Sequence, residues 1–189
     1  MRETKDSEER RKEFVDAAEK LFKKNGIVDT TVNNIVKELD VAKGLFYYYF
    51  KSKDDVIDAI SEKYNEAFRD SMKKSMDEED WPLRLKQFLD NCIISFRTLY
   101  VRLQGDREDV DLSQLTMVAI EEARTDSSEA LAKLLAEGNE KHYIEVKDTG
   151  YAADFITGGI AYLVSKGETD RETIGNMVYN SLLQKDGKE

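Results

Sequence analysis

Lys43, Gly44, Tyr47 and Tyr48 fall on one side of a short helical stretch, Ala42 to Tyr49. Phe46 and Phe50, four residues apart, take the other side and pin it to a core. A cation, a residue without a side chain and two phenols suit contact with a polyanion. Lysine neutralises phosphate, tyrosine hydroxyls bond phosphate oxygens, and glycine lets backbone approach a groove. Eight residues do not make a stable helix alone, so neighbouring elements must hold this one. Just before it lies a helix opened by Thr30 as N-cap, with Val32, Ile35, Val36 and Leu39 as its buried stripe. Asp40 and Val41 form the turn between the two. Ser52 with Asp55 is a capping box that opens the next helix.

The stretch resembles the DNA-binding domain of the TetR family of bacterial transcriptional regulators. The resemblance rests on Ala18, Leu21, Phe22 and Gly26, then Thr30 and Thr31, then Ile35, Val41, Gly44, Tyr47, Phe50, Ser52 and Lys53, in register with the family pattern. It covers about residues 8–68, roughly a third of the chain. Asp40 stands where the family usually has Gly, and Asp tolerates the left-handed conformation that turn needs. Val36 replaces a usual Ala, Ala42 a capping Ser, Phe46 a Leu and Tyr49 a His.

The resemblance implies an all-α fold. An N-terminal three-helix domain over 8–68, with its helix-turn-helix at 31–50, would join through a long fourth helix to a helical ligand-binding and dimerisation domain over 69–189. About nine helices are expected. It also implies double-stranded operator DNA as partner. Thr30, Thr31, Lys43, Gly44, Leu45, Tyr47, Tyr48 and Lys53 are the candidate DNA-binding residues, with Lys43 and Gly44 on the base side and the threonines, tyrosines and Lys53 on phosphate.

Along the chain, Ser7–Asn25 predicts a first helix, with Asp6 and Glu9 as a capping box and Gly26 at its end. The fourth helix runs to about Met76. An acidic stretch, DEEDWP at 77–82, precedes a fifth, broadly apolar helix to Leu103. QGDREDVD, 104–111, is a charged break without a calcium-loop pattern. Asp126 with Glu129 predicts a helix start that would separate a sixth helix from a seventh. Residues 138–147 read as a loop with a short extended piece. Helices over 148–165 and from Thr169 onward complete the chain.

The resemblance implies that the last two helices form a homodimer interface. Its candidates are Ala152, Phe155, Gly159, Tyr162, Ile174, Met177 and Val178. Gly158 and Gly159 cost helix stability, so a close approach should explain them. TetR-like bodies enclose a cavity for a small-molecule effector. Candidates to line it are Tyr64, Phe68, Phe88, Cys92, Phe96, Tyr100, Met117 and Phe155, which would suit an amphipathic molecule.

The net charge of −10 is unevenly spread. Residues 1–53 carry about +2 and the remainder about −12, so the acid lies outside the reading head. A single cysteine, Cys92, in an apolar stretch predicts a buried structural thiol. There is no membrane-length apolar run and no signal peptide, and the chain is expected to be cytoplasmic. The one histidine, His142, has no catalytic partner at recognisable spacing, and no His/Cys pair has metal-ligand spacing. An enzyme, a cofactor and a metal are therefore not expected. The function that follows is a ligand-responsive repressor that binds a palindromic operator as a homodimer. Ligand would tilt the fourth helix and change the spacing of the heads. Two alternatives stand beside it: a TetR-fold regulator or activator controlled by a protein partner, and a helical ligand-binding or enzymatic protein with a vestigial head.

Overall fold

A computed structural model describes residues 7–74, 76–168 and 170–183. All regular structure among them is helical. The elements are α1 (Ser7–Asn25), α2 (Val32–Glu38), α3 (Lys43–Tyr49), α4 (Lys53–Lys74), α5 (Trp81–Arg102), α6 (Ser113–Glu140), α7 (Thr149–Ser165) and α8 (Arg171–Leu183). None of these helices is long and apolar enough to cross a membrane.

The chain divides into two compact units. One contains the described residues up to Tyr64 together with Arg102–Ala119, and the other contains Asn65–Val101 with Ile120 onward. The expected boundary at 68/69 lies close to the Tyr64/Asn65 division, but it assigned Arg102–Ala119 to the second domain. Backbone hydrogen bonds explain that segment's place. Asp106 N donates to Lys23 O at 2.8 Å, and Ile27 N donates to Asp111 O at 3.3 Å.

In the first unit, Phe14 of α1 meets Phe46 and Phe50 with ring centroids 5.7 and 6.3 Å away. All three rings are buried, as are Ala18, Phe22, Ile35, Val56, Ile57 and Ile60. Aromatic rings meeting edge-on add specific geometry to this hydrophobic contact. In the second unit the core is Trp81, Leu85, Phe88, Leu89, Cys92, Ile93 and Phe96 of α5 with Leu131, Leu134 and Leu135 of α6 and Ile156 and Ile160 of α7.

Eight helices appear among the described residues instead of nine, because the expected break at Asp126 is absent. The residues that signal a helix start there have other partners. Ser127 Oγ donates to Ala123 O at 2.7 Å, the back-bonding that lets serine sit inside a helix. Asp126 accepts from Arg69 at 3.0 Å. The helix then continues past Gly138, against which the Trp81 ring packs so closely that an added Cβ would overlap Trp81 Cζ2. Trp81 Nε1 donates to Leu134 O at 2.8 Å, fixing that ring. Residues 143–146 form no strand; Val146 is held instead by two hydrogen bonds with the Asn139 side chain.

The ends of α1 and α4 follow expectation. Gly26 has φ +88° and its N–H reaches Phe22 O at 2.8 Å, a glycine-capped terminus. Ser52 and Asp55 exchange hydrogen bonds at the start of α4, and Asp55 also accepts from the Lys51 N–H at 2.7 Å. Two expected caps, Asp6 and Thr169, lie outside the described residues. Asp170 caps α8, accepting from Glu172 N at 3.0 Å and Thr173 Oγ1 at 2.6 Å.

Candidate nucleic-acid interface

The presentation of α3 is built from below. Helix α2 is capped by Thr31, not by Thr30: Thr31 accepts from Asn34 N, and the Asn34 side chain accepts from Thr31 N, a reciprocal capping box. The turn after α2 passes through Asp40 at φ +51°, the left-handed region that an aspartate tolerates better than most side chains. Ala42 opens α3 without a side-chain cap. The seven residues of α3 are therefore held by tertiary contact, with Phe46 wholly buried and Tyr49 tilted against Phe14 at 5.9 Å.

The opposite face is free. Lys43 and Gly44 are exposed, Tyr47 is 50% exposed and Tyr48 75%. Nothing lies within 4 Å of where a Cβ on Gly44 would stand. Lys43 Nζ rests 5.9 Å from the Tyr47 ring centroid, so cation and phenol share one surface. Leu45 is half-buried and serves as much to seat the helix as to face outward. Thr31 is exposed at the α2 N-terminus.

Two candidates are placed differently from expectation. Thr30 is 0% exposed, and its hydroxyl donates inward to Gly26 O at 2.7 Å. A side chain so enclosed cannot meet a phosphate without leaving its site. Lys53 is half-buried, and its ammonium donates to Ile27 O at 2.6 Å and Thr30 O at 3.1 Å. Both residues stitch the domain together behind the exposed face.

The effector candidates do not gather around one space. Tyr64 donates its hydroxyl to Glu19 within the first unit. Phe68, Phe88, Cys92 and Phe96 are buried in the second unit, with Phe68 and Phe96 rings 5.1 Å apart. Cys92 Sγ lies 3.5 Å from Met72 Sδ, and burial pushes its thiol pKa up, as for an inert structural cysteine. Tyr100 is half-buried. Met117 and Phe155 are 67% and 84% exposed, so neither lines an enclosed cavity of this chain. An open groove of about 1010 Å³ lies between α5 and α8, walled by Leu83, Lys86, Asp90, Arg97, Arg171 and Tyr179 among others, and none of the eight candidates borders it. Met117 borders a second groove of about 790 Å³ beside residues 103–113.

Of the dimerisation candidates, Phe155, Gly159, Tyr162 and Met177 are exposed, and Ala152 and Val178 are half-buried. Ile174 is corrected to core, with 2% exposure. Tyr151, which the sequence analysis did not single out, is exposed and extends the α7 stripe by one turn. Its spacing of four from Phe155 was the available signal. Apart from α7's own neighbouring backbone, no described atom comes within 4 Å of an added Cβ at Gly158 or Gly159, so the expected close approach is not made internally. No group of three or more His, Cys, Asp or Glu side chains among the described residues could hold a metal.

A three-helix head whose last short helix is buried on one side and bare on the other is the architecture of the helix-turn-helix proteins. The sequence family described as bacterial regulatory proteins, tetR family, matches residues 14–60. The chain is 46% identical over 50 residues to the HTH-type transcriptional regulator HbdR of Aromatoleum sp. (strain CIB), covering 26% of this chain and 22% of HbdR. It is 30% identical over 81 residues to the HTH-type transcriptional regulator TtgR of Pseudomonas putida, covering 42% of this chain and 38% of TtgR. The chain thus spans well under half the length of these curated relatives. Over almost the whole chain the fold is similar to that of a transcriptional regulator from Cytophaga hutchinsonii. The TM-score is 0.63 at 22% identity, with 93% of this chain and 99% of that one covered. Residues 14–60 thus match the DNA-binding segment of the tetR family, and the remainder shares the fold of the solved regulator.

Proposed function

We propose that the protein is a DNA-binding transcriptional regulator that acts as a homodimer on a palindromic operator. The observation that carries this is the bare face of α3. Lys43, Gly44, Tyr47 and Tyr48 are exposed together on a helix whose other side is fixed by Phe46 and Phe50. Each head presents that face to a major groove, with half-sites about one helical turn apart or somewhat more. Lys43 and Gly44 approach base edges; Thr31, Tyr47 and Tyr48 meet phosphates. The exposed stripe of Tyr151, Phe155 and Tyr162 on α7 with Met177 on α8 supports pairing through the last two helices. The open space over Gly158 and Gly159 leaves room there for a second copy's backbone.

Tyr47→Phe and Lys43→Ala test the assigned face. Each weakens operator binding by about 1–3 kcal/mol while the dimer stays intact by sedimentation. Unchanged affinity in both variants rules out this face as the reader.

Repression relieved by a small amphipathic molecule is the regulatory mode the family resemblance favours. One observation favours a second mode. Phe68, Phe88, Cys92 and Phe96 are packed as core, which supports control by a protein partner without a small ligand. Thermal melts against a library of amphipathic compounds separate the two modes, because a ligand that binds the native state raises the midpoint.

A further inference from the structure

Lys53 belongs to the segment that, by family resemblance, would contact phosphate. Its geometry gives it another task. The ammonium sits between two carbonyl oxygens of the α1–α2 connection, Ile27 O at 2.6 Å and Thr30 O at 3.1 Å. Thr30 in turn reaches Gly26 O at 2.7 Å and Leu21 O at 3.3 Å. The C-terminus of α1, the N-terminus of α2 and the first residue of α4 are thereby tied at one point. Helix α3 hangs between α2 and α4, and only Lys51 and Ser52 separate its C-cap, Phe50, from Lys53. A seven-residue helix cannot set its own position. Its rings fix its depth in the core, but the ends of its neighbours fix its direction.

We infer that Lys53 is a positioning residue for the recognition helix, holding the start of α4 to the α1–α2 connection, and is not a phosphate contact. This rests on the DNA-binding function proposed above. An ammonium has three N–H donors, and two are already committed to main-chain carbonyls. Methionine, of similar length but uncharged and without a donor, removes the tie and keeps the packing of the stem.

The test compares Lys53→Met with Lys43→Ala in salt-dependent titrations on operator and scrambled DNA. Lys53→Met lowers operator affinity about tenfold or more, leaves binding to scrambled DNA unchanged and leaves the slope of log affinity against log salt at the wild-type value. Lys43→Ala, which removes a base-side contact, lowers operator affinity and relaxes the preference for operator over scrambled DNA. A residue that served stability alone would not alter the ratio of operator to scrambled binding well below the unfolding temperature. If Lys53→Met weakens both DNAs equally and lowers the slope by about 1, Lys53 is a phosphate contact and the inference is overturned. A second readout needs no DNA. Hydrogen exchange of the amides over 32–49 in the free protein rises in Lys53→Met while that over 171–183 stays unchanged. Unchanged exchange over 32–49 overturns the inference even if the wild-type protein reads DNA. Raised exchange in a protein that shows no operator preference upholds the clamp and removes the DNA-binding function instead.

Discussion

Glu19 is a carboxylate held by three donors: Lys63 at 2.8 Å, Lys23 at 3.0 Å and the Tyr64 hydroxyl. Burial acts to raise its pKa, but the hydrogen bonds from Lys63, Tyr64 and Lys23 outweigh burial and lower it from 4.5 to about 2. A carboxyl lowered in the folded state stabilises above its unfolded pKa, and that contribution fades as pH falls. The window here runs from 4.5 down to about 2. Glu19→Gln is expected to lower stability near neutral pH by on the order of 2 kcal/mol, allowing for solvent screening. The difference from wild type should shrink across that window, as read from urea midpoints against pH. A constant difference at every pH would show that Glu19 acts by packing alone. Residue chemistry also decides what the sequence made legible. Asp40 in a left-handed turn and the Ser52–Asp55 box follow from side-chain type and spacing. Which of two adjacent threonines caps α2 does not. Thr30 and Thr31 offer the same hydroxyl, and only the inward carbonyls of Leu21 and Gly26 select Thr30 for burial.

At the scale of elements, periodicity located every helix, because amphipathic stripes report burial directly. It placed a false boundary at Asp126, where local cap chemistry resembles a start but distant partners claim the same groups: Arg69 takes Asp126 and Ala123 O takes Ser127. A capping signal is local, and a residue 57 positions away cannot be read from it. Gly138 is the matching case. It looks like a helix stop, yet it stays inside α6 because Trp81 needs the space. Gly138→Ala should therefore destabilise the second unit by about 1–3 kcal/mol through overpacking, although alanine is the better helix former. Trp81 fluorescence during denaturation reads this directly; a gain in stability would mean that the ring yields freely.

Across the whole molecule, charge and apolar surface are sorted by task. The head carries about +2 and the rest about −12, so the proposed DNA-binding face lies in the less acidic part of the chain. Part of the apolar surface left in water lies on α7 and α8, at Tyr151, Phe155, Tyr162 and Met177. If the proposed homodimer pairs through this surface, Phe155→Asp raises its dissociation constant about 100-fold or more by placing a charge in an apolar interface, measured by sedimentation across a concentration series. An unchanged dimer would move the interface elsewhere. The expected effector site was the least legible part of the sequence. Aromatic residues lining a cavity and aromatic residues filling a core have the same spacing, and only packing separates them, as it does for Phe68 and Phe96.

The most direct test of the central claim is a salt-dependent titration of the wild-type protein on DNA from upstream of its own gene and on scrambled DNA of equal length. The exposed face of α3 predicts operator binding about 10³-fold tighter or more, with affinity for both DNAs falling steeply as salt rises. Equal, weak binding to both DNAs, also on fragments selected from random sequence, would contradict it.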